Sequence, residues 1–442
     1  MHIESLGGAT CVTGSCHLVR AGEVSLLVDC GAVQGNDPLL PMASWPVQPK
    51  DIAYLFLTHA HVDHCGRVPE LVRAGFEGEI LTTHDTQALL GPMLGDALGF
   101  TGWSEDDQAR VLARIQKITW GFEYDRDFDL AGGLRFRLGQ AGHILGSCFV
   151  RIEAQEEPDG PASVVFSGDL GPPHTPLLPD PAVPAPCDLL VMESTYGDRR
   201  HAERGEARIQ RLGEILSHAL QDQGKVYIPA FSLGRAQELL YEMDRLFSDP
   251  AWQARFPDLA PRGRPPVFLD SPLALDITRV YAERTSNWDC EARELLEAGD
   301  APLDFPGLYA VRSHRDHQKL LAYDGPAVIL AGSGMCTGGR IVNHLKQGLG
   351  DPRNDVLFVG YQAPGTPGRD LVEYSRQPGG YVFLEGERVD IRAQVHVLTG
   401  YSAHADQEDL VAWARAVAPG RLTLVHGDER AREALEKRLA HE

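Results

Sequence analysis

The stretch Thr58-His59-Ala60-His61-Val62-Asp63-His64-Cys65-Gly66 places three imidazoles and a carboxylate within six positions. It follows an apolar run, Ile52 to Leu57, whose β-branched and aromatic residues predict a buried strand. The polar side chains therefore belong to a loop leaving the carboxyl end of a strand, where functional residues gather. Neutral imidazole and carboxylate suit Zn²⁺, with Mn²⁺ or Fe²⁺ as alternatives, because nothing here demands a thiolate-only ion. One such histidine alone reads as an ordinary core or surface residue. Three around an aspartate read as a metal site, with Cys65 expected to pack and not to coordinate.

Further stretches of the same kind flank this one. Leu26-Leu27-Val28-Asp29-Cys30-Gly31 precedes it; Gly142-His143-Ile144-Leu145-Gly146 and Phe166-Ser167-Gly168-Asp169 follow. In this order and spacing, His-x-His-x-Asp-His and its companions resemble the metallo-β-lactamase superfamily over most of the chain. The resemblance implies an α/β fold with a four-layer αββα domain. It further implies that His59, His61 and His143 hold one metal, that Asp63 and His64 hold a second, and that Asp169 bridges the two. Asp29 is then a residue behind the ligands that fixes their orientation.

A second set of motifs narrows the likeness. Glu193-Ser194-Thr195-Tyr196-Gly197, followed by Arg199-Arg200-His201, resembles the first motif of the β-CASP branch, nucleases with an inserted parallel-sheet α/β domain. Val395 to Asp406 (Val-His-Val-Leu-Thr-Gly-Tyr-Ser-Ala-His-Ala-Asp) and Leu424-Val425-His426-Gly427-Asp428 match the later motifs, with Tyr401 where many relatives have Phe. By this likeness His404 is the second motif and His426 the third, completing the second metal's coordination. Three segments are implied: 1–199 as the first part of the metallo-β-lactamase domain, 200–378 as the β-CASP insert, and 379–442 as the C-terminal return. The chain is similar to a compact bacterial form of the cleavage-and-polyadenylation endonuclease subunit.

Composition sets outer bounds. A chain of 442 residues, 43% hydrophobic and 23% charged, is ordinary globular sequence of two to three domains. A formal net charge of −21 argues against a surface coated for non-specific nucleic-acid binding, while leaving room for a local groove. No secretory leader pattern and no long uncharged apolar window is evident, so a cytoplasmic protein without membrane contact is expected. The eight cysteines are scattered without CxxC pairs and read as reduced thiols.

Along the chain, residues 66–123 read as mostly helical around a strand from Gly78 to Thr83, and Glu156 to Pro161 reads as a hairpin tip. In the insert, Ile209, Leu212, Leu216 and Leu220 stand at helical spacing. Strands are expected at Lys225–Pro229, Val267–Leu269, Ala327–Leu330 and Val356–Tyr361, alternating with helices as a parallel sheet requires. The Gly-rich turn Gly332 to Gly339 opens a helix with bare N–H groups suited to phosphate, so Ser333, Gly334 and Arg340 are candidate substrate contacts. Arg235 and Gln237 match the branch's pattern and join them, as does Ser402. His314 and His317 belong to no motif and are expected in solvent.

Taken together, the resemblance implies two Zn²⁺ per chain, or Mn²⁺, holding the hydroxide that attacks phosphorus in single-stranded RNA. Glu193 and His404 would then assist the leaving 3′ oxygen. Endonucleolytic cutting is expected, with 5′ exonuclease activity as a second mode, in a cleft between domains of a monomer or homodimer. A small-molecule lactonase or thioesterase of the same fold, and a non-catalytic RNA-binding subunit, are the rival readings.

Overall fold

The computed structural model describes residues 1–35, 37–154, 161–202, 205–260 and 264–440. The expected hairpin tip at 156–161 lies, except for Pro161, outside the described residues. Two compact units form: Met1–Arg200 with Ala403–Glu442, and His201–Ser402.

The first unit is built on two six-stranded sheets. In one, β1 (His2–Gly7), β2 (Cys16–Ala21) and β3 (Val24–Val28) run antiparallel, and β4 (Tyr54–Phe56), β5 (Glu79–Thr83) and β6 (Thr119–Phe122) continue parallel to β3. The other carries β7 (Asp127–Asp129), β8 (Leu134–Gln140), β9 (Cys148–Ala154), β10 (Ser163–Phe166) and β11 (Leu189–Glu193), closed by the strand Arg421–Val425 alongside β11. Side chains alternate across each strand, so Leu134, Phe136 and Leu138 of β8 turn inward to meet Val28, Phe56 and Leu81 from the facing sheet. Helices cover the outer faces: Leu410, Val411, Trp413 and Val417 pack on Phe149, Val165 and Leu190, while His84–Leu98 and Glu105–Ile118 lie over β5 and β6. The four αββα layers are those the resemblance implied.

The second unit holds β12 (Lys225–Pro229), β13 (Val267–Leu269), β14 (Leu308–Ala310), β15 (Ala327–Ala331) and β16 (Asp355–Phe358), then the hairpin β17 (Tyr381–Leu384) and β18 (Glu387–Asp390), and β19 (Gln394–Val397). Its main sheet is parallel throughout, in the order β14-β13-β15-β12-β16-β19. Arg421–Val425 is thus β20. The expected boundary at 378 is corrected to 402, because β19 pairs with β16 and belongs to this sheet. The pair Gly379-Gly380, which punctuates sequence like a linker, is the entry to the hairpin, with Gly380 N–H donating to the Gln377 carbonyl. The helix carrying Ile209 and Leu212 starts at Glu206, and the strand expected at 356–361 ends at Phe358.

Candidate metal centre

All the first-unit residues singled out above except His404 leave the carboxyl end of a strand: Asp29 after β3, His59 to His64 after β4, His143 after β8, Asp169 after β10, Glu193 at the end of β11 and His426 after β20. Asp29 and His426 adopt left-handed backbone conformations, with φ of 62° and 49°, a strain that non-glycine residues carry where the surroundings dictate it. Asp29 Oδ1 accepts from the Thr58 N–H at 2.8 Å, and Oδ2 accepts from His64 Nδ1 at 2.7 Å. That second bond leaves His64 Nε2 as the coordinating atom. Gly31 permits the approach, since a Cβ there would fall 1.6 Å from the Asp63 carbonyl oxygen.

The donors form two sets. His59 Nε2 and His143 Nε2 each lie 3.1 Å from His61 Nδ1, and Asp169 Oδ2 lies 3.6 Å from His59 and 3.7 Å from His143. His64 Nε2 is 3.0 Å from His426 Nε2, which is 3.5 Å from Asp63 Oδ2. Asp169 Oδ1 is 3.3 Å from His64 and 3.6 Å from His426. Ligands about 2.0–2.1 Å from a tetrahedral zinc would stand roughly 3.3 Å apart, so both sets have the spacing of a cation cage. Asp169 Oδ1 is buried with no hydrogen-bond partner among the described residues, an arrangement a bound cation would relieve. The residues therefore fit a pair of divalent ions sharing Asp169.

Charge is partitioned between the sets. Burial holds the His59, His61 and His143 imidazoles below their ordinary range, favouring the neutral, ligating form. Burial also acts on His64 and His426, but the carboxylates of Asp169 and its neighbours outweigh it and hold both above that range.

His404 stands beside the first set. Its ring centroid is 4.6 Å from that of His143, and its Nδ1 is 3.9 Å from Asp169 Oδ2 and 3.1 Å from Glu193 Oε2. Burial depresses the imidazole, yet Glu193 more than compensates and lifts it to about 9. Glu193 is itself fixed, Oε1 accepting the Leu170 N–H at 2.6 Å.

The candidate contacts in the second unit have other employments. Gln237 is wholly buried: its carbonyl accepts from the Gly234 N–H at 2.8 Å, and its amide donates to the Ser232 carbonyl and the Thr278 hydroxyl. It is corrected from a substrate contact to the residue that closes its own helix start. Arg235 is buried and paired with Glu238, its guanidinium 6.0 Å from the Tyr401 ring, so it is also a structural cation. Arg340 donates to Asp270 at 2.7 Å and to the Val311 and Arg312 carbonyls; three bonds to its own fold replace the expected phosphate contact. Ser333 is half-buried on its turn, Gly334 beside it is buried, and Ser402 closes the unit, its side chain buried.

Sequence reading missed one cluster altogether. His317, expected in solvent, is buried and donates from Nδ1 to Asp270 Oδ2 at 2.6 Å, while His344 Nε2 donates to the same oxygen at 2.7 Å. His314 is exposed as expected. These distances are charge-assisted hydrogen bonds, shorter than the cage spacings of the first unit, and Arg340 already supplies the cation. Only the i, i+4 spacing of Arg340 and His344 hinted at a shared helical face.

Comparison with known proteins bears on the whole chain. Residues 9–202 match the metallo-beta-lactamase superfamily, 236–371 the Beta-Casp domain, and 388–442 the Zn-dependent metallo-hydrolase RNA specificity domain. The chain is 38% identical to a Thermus thermophilus protein named Ribonuclease TTHA0252, over all of this chain and 96% of that one. It is 32% identical to the Methanocaldococcus jannaschii transcription termination factor FttA, over 97% of this chain and 67% of that protein. Among solved structures, a protein of unknown function from Enterococcus faecalis V583 aligns at a TM-score of 0.54 and 13% identity, over 98% of this chain and 95% of that one, a likeness of fold.

Proposed function

The chain belongs to the β-CASP branch of the metallo-β-lactamase superfamily, and on that premise we propose that it is a two-zinc ribonuclease. Its substrate is single-stranded RNA, cut internally as the main mode. The observation that carries this reading is Asp169, whose two oxygens face two separate sets of buried donors. Two divalent ions held there would supply an activated water and the positive charge that a phosphodiester displacement needs.

The chain's own groups do the rest. His59, His61 and His143 form one seat, Asp63, His64 and His426 the other, and Asp29 keeps His64 in its ligating orientation through Nδ1. Glu193 accepts from His404 Nδ1, so the proton destined for the leaving 3′ oxygen is carried on Nε2. Support for RNA as the substrate comes from the ribonuclease relative and the RNA specificity match.

Digestion of 5′- and 3′-labelled single-stranded RNA tests the reading. Internal fragments from both labels are expected. Asp169→Ala should lower the bound-metal count and slow cleavage by more than about 10²-fold, beyond what changes outside the ligand shell cost. An Asp169→Ala protein cutting at a tenth of the wild-type rate would remove the shared-ligand assignment.

A further inference from the structure

In the parallel sheet of the second unit, neighbouring strands send the chain in opposite directions at β13 and β15 and again at β12 and β16. From β12 the chain crosses to β13, and from β16 it moves the opposite way to β19, yet β12 and β16 are neighbours. In parallel α/β sheets, ligands settle outside the carboxyl ends of the strands at such a switch point. The loops leaving these two strands carry Phe231 and Tyr361, which are 38% and 36% exposed.

Phe231 is held by backbone. A Cβ added to Gly334 would meet three atoms of the ring at 2.9–3.1 Å, and one added to Gly360 would stand 3.7 Å from Cε2. Two glycines from different loops thus let the ring lie close against bare main chain, and much of the side chain stays in water. An apolar ring left so open forgoes part of the stabilisation that burial gives. Hydroxyl groups surround it: Ser232 is the next residue, its Oγ 3.2 Å from Ser271 Oγ, and Ser333 Oγ accepts from the Thr337 N–H on the adjoining turn. The N–H groups of Gly334 and Met335 have no hydrogen-bond partner among the described residues. Asp270, the acid directly after β13, is spent on Arg340, His317 and His344.

We propose that Phe231 is a stacking platform for one unpaired nucleobase, with the Ser232, Ser271 and Ser333 hydroxyls and the free turn amides beside its sugar-phosphate. This rests on the ribonuclease reading and names a contact that reading leaves open. An aromatic face suits an enzyme of single strands, because every base has a π-face and stacking does not depend on sequence. Arg235 and Arg340 of the neighbouring helix starts are paired with Glu238 and Asp270, and the turn amides suit the phosphate next to the base.

The test uses the full-length, zinc-loaded protein and a fluorescent single-stranded RNA, with KM and kcat from cleavage and affinity from anisotropy of the metal-free protein. Phe231→Ala should raise KM and the dissociation constant together by about 5- to 150-fold, the range one lost stack costs, with kcat changing far less. Phe231→Trp should bind within about threefold of wild type, since indole stacks as well as phenyl. Phe231→Leu, which keeps bulk but has no π-face, should resemble Ala. A Leu variant that binds like wild type would reduce the ring to packing, and an Ala variant that does so would remove the platform; either overturns the proposal. If wild type binds RNA without cutting it, the ribonuclease reading fails and anisotropy still decides the platform. If the zinc-loaded wild type neither binds nor cuts RNA, both fall.

Discussion

At the scale of single residues, the chemistry turns on carboxylates whose environments differ. Asp169 keeps a buried, unpartnered oxygen between two imidazoles. Glu193 is saturated by a backbone N–H and His404. If that pair delivers the proton to the leaving oxygen, His404→Ala should retain its zinc and lose about 10²- to 10⁴-fold in RNA cleavage. It should lose much less on a p-nitrophenyl phosphodiester, whose leaving group needs no proton; equal losses on both substrates would make His404 a structural residue. Asp244 presents the reverse case. Burial, and then the Asp300 carboxylate, push its carboxyl up to about 7 against the pull of Arg264. The folded state then keeps a proton that the unfolded chain releases near pH 4, so this contribution is fully present below that value and is lost as pH rises through about 7. Urea unfolding should show wild type losing stability from pH 4 to 8, on the order of 2 kcal/mol from this group, with Asp244→Asn flatter and more stable at pH 8. An unchanged slope in Asp244→Asn would contradict the assignment.

At the scale of elements, the strand-end loops of the first unit were legible because apolar runs ending in Asp or His state both a strand and a ligand. His59, His61, Asp63 and His64 come from one loop and need no long-range guess, whereas bringing His143, Asp169 and His426 to them depended on the family likeness. In the second unit the same logic failed. Gln237 and Arg340 carry polar groups beside turns, the pattern of a ligand contact, but their partners are distant in sequence: Thr278 for one, Asp270 and Val311 for the other. Nothing local distinguishes a polar side chain that meets substrate from one that fastens its own loop. Because Gln237 satisfies Gly234 and Ser232 within a buried helix start, Gln237→Ala should lower unfolding stability by about 1–3 kcal/mol. A change under about 0.5 kcal/mol, typical of surface positions, would return it to the list of candidate contacts.

At the scale of the whole molecule, two sheets facing one another build the metal centre, and a separate parallel sheet carries the aromatic platform. Folding of the second unit takes the chain from His201 to Ser402 before the first resumes at Ala403, which puts His404 and His426 at the far end of the sequence from the ligands they join. Among the described residues no helix is long and apolar enough to cross a membrane. The net charge of −21 leaves RNA affinity to local groups and to bound cations, so removing the metal should weaken both binding and cleavage. The most direct measurement titrates metal-free protein with zinc while following cleavage of end-labelled single-stranded RNA. The rate should level off only as the second zinc per chain is taken up; full activity at one zinc per chain, or no cleavage with two bound, would contradict a two-metal ribonuclease.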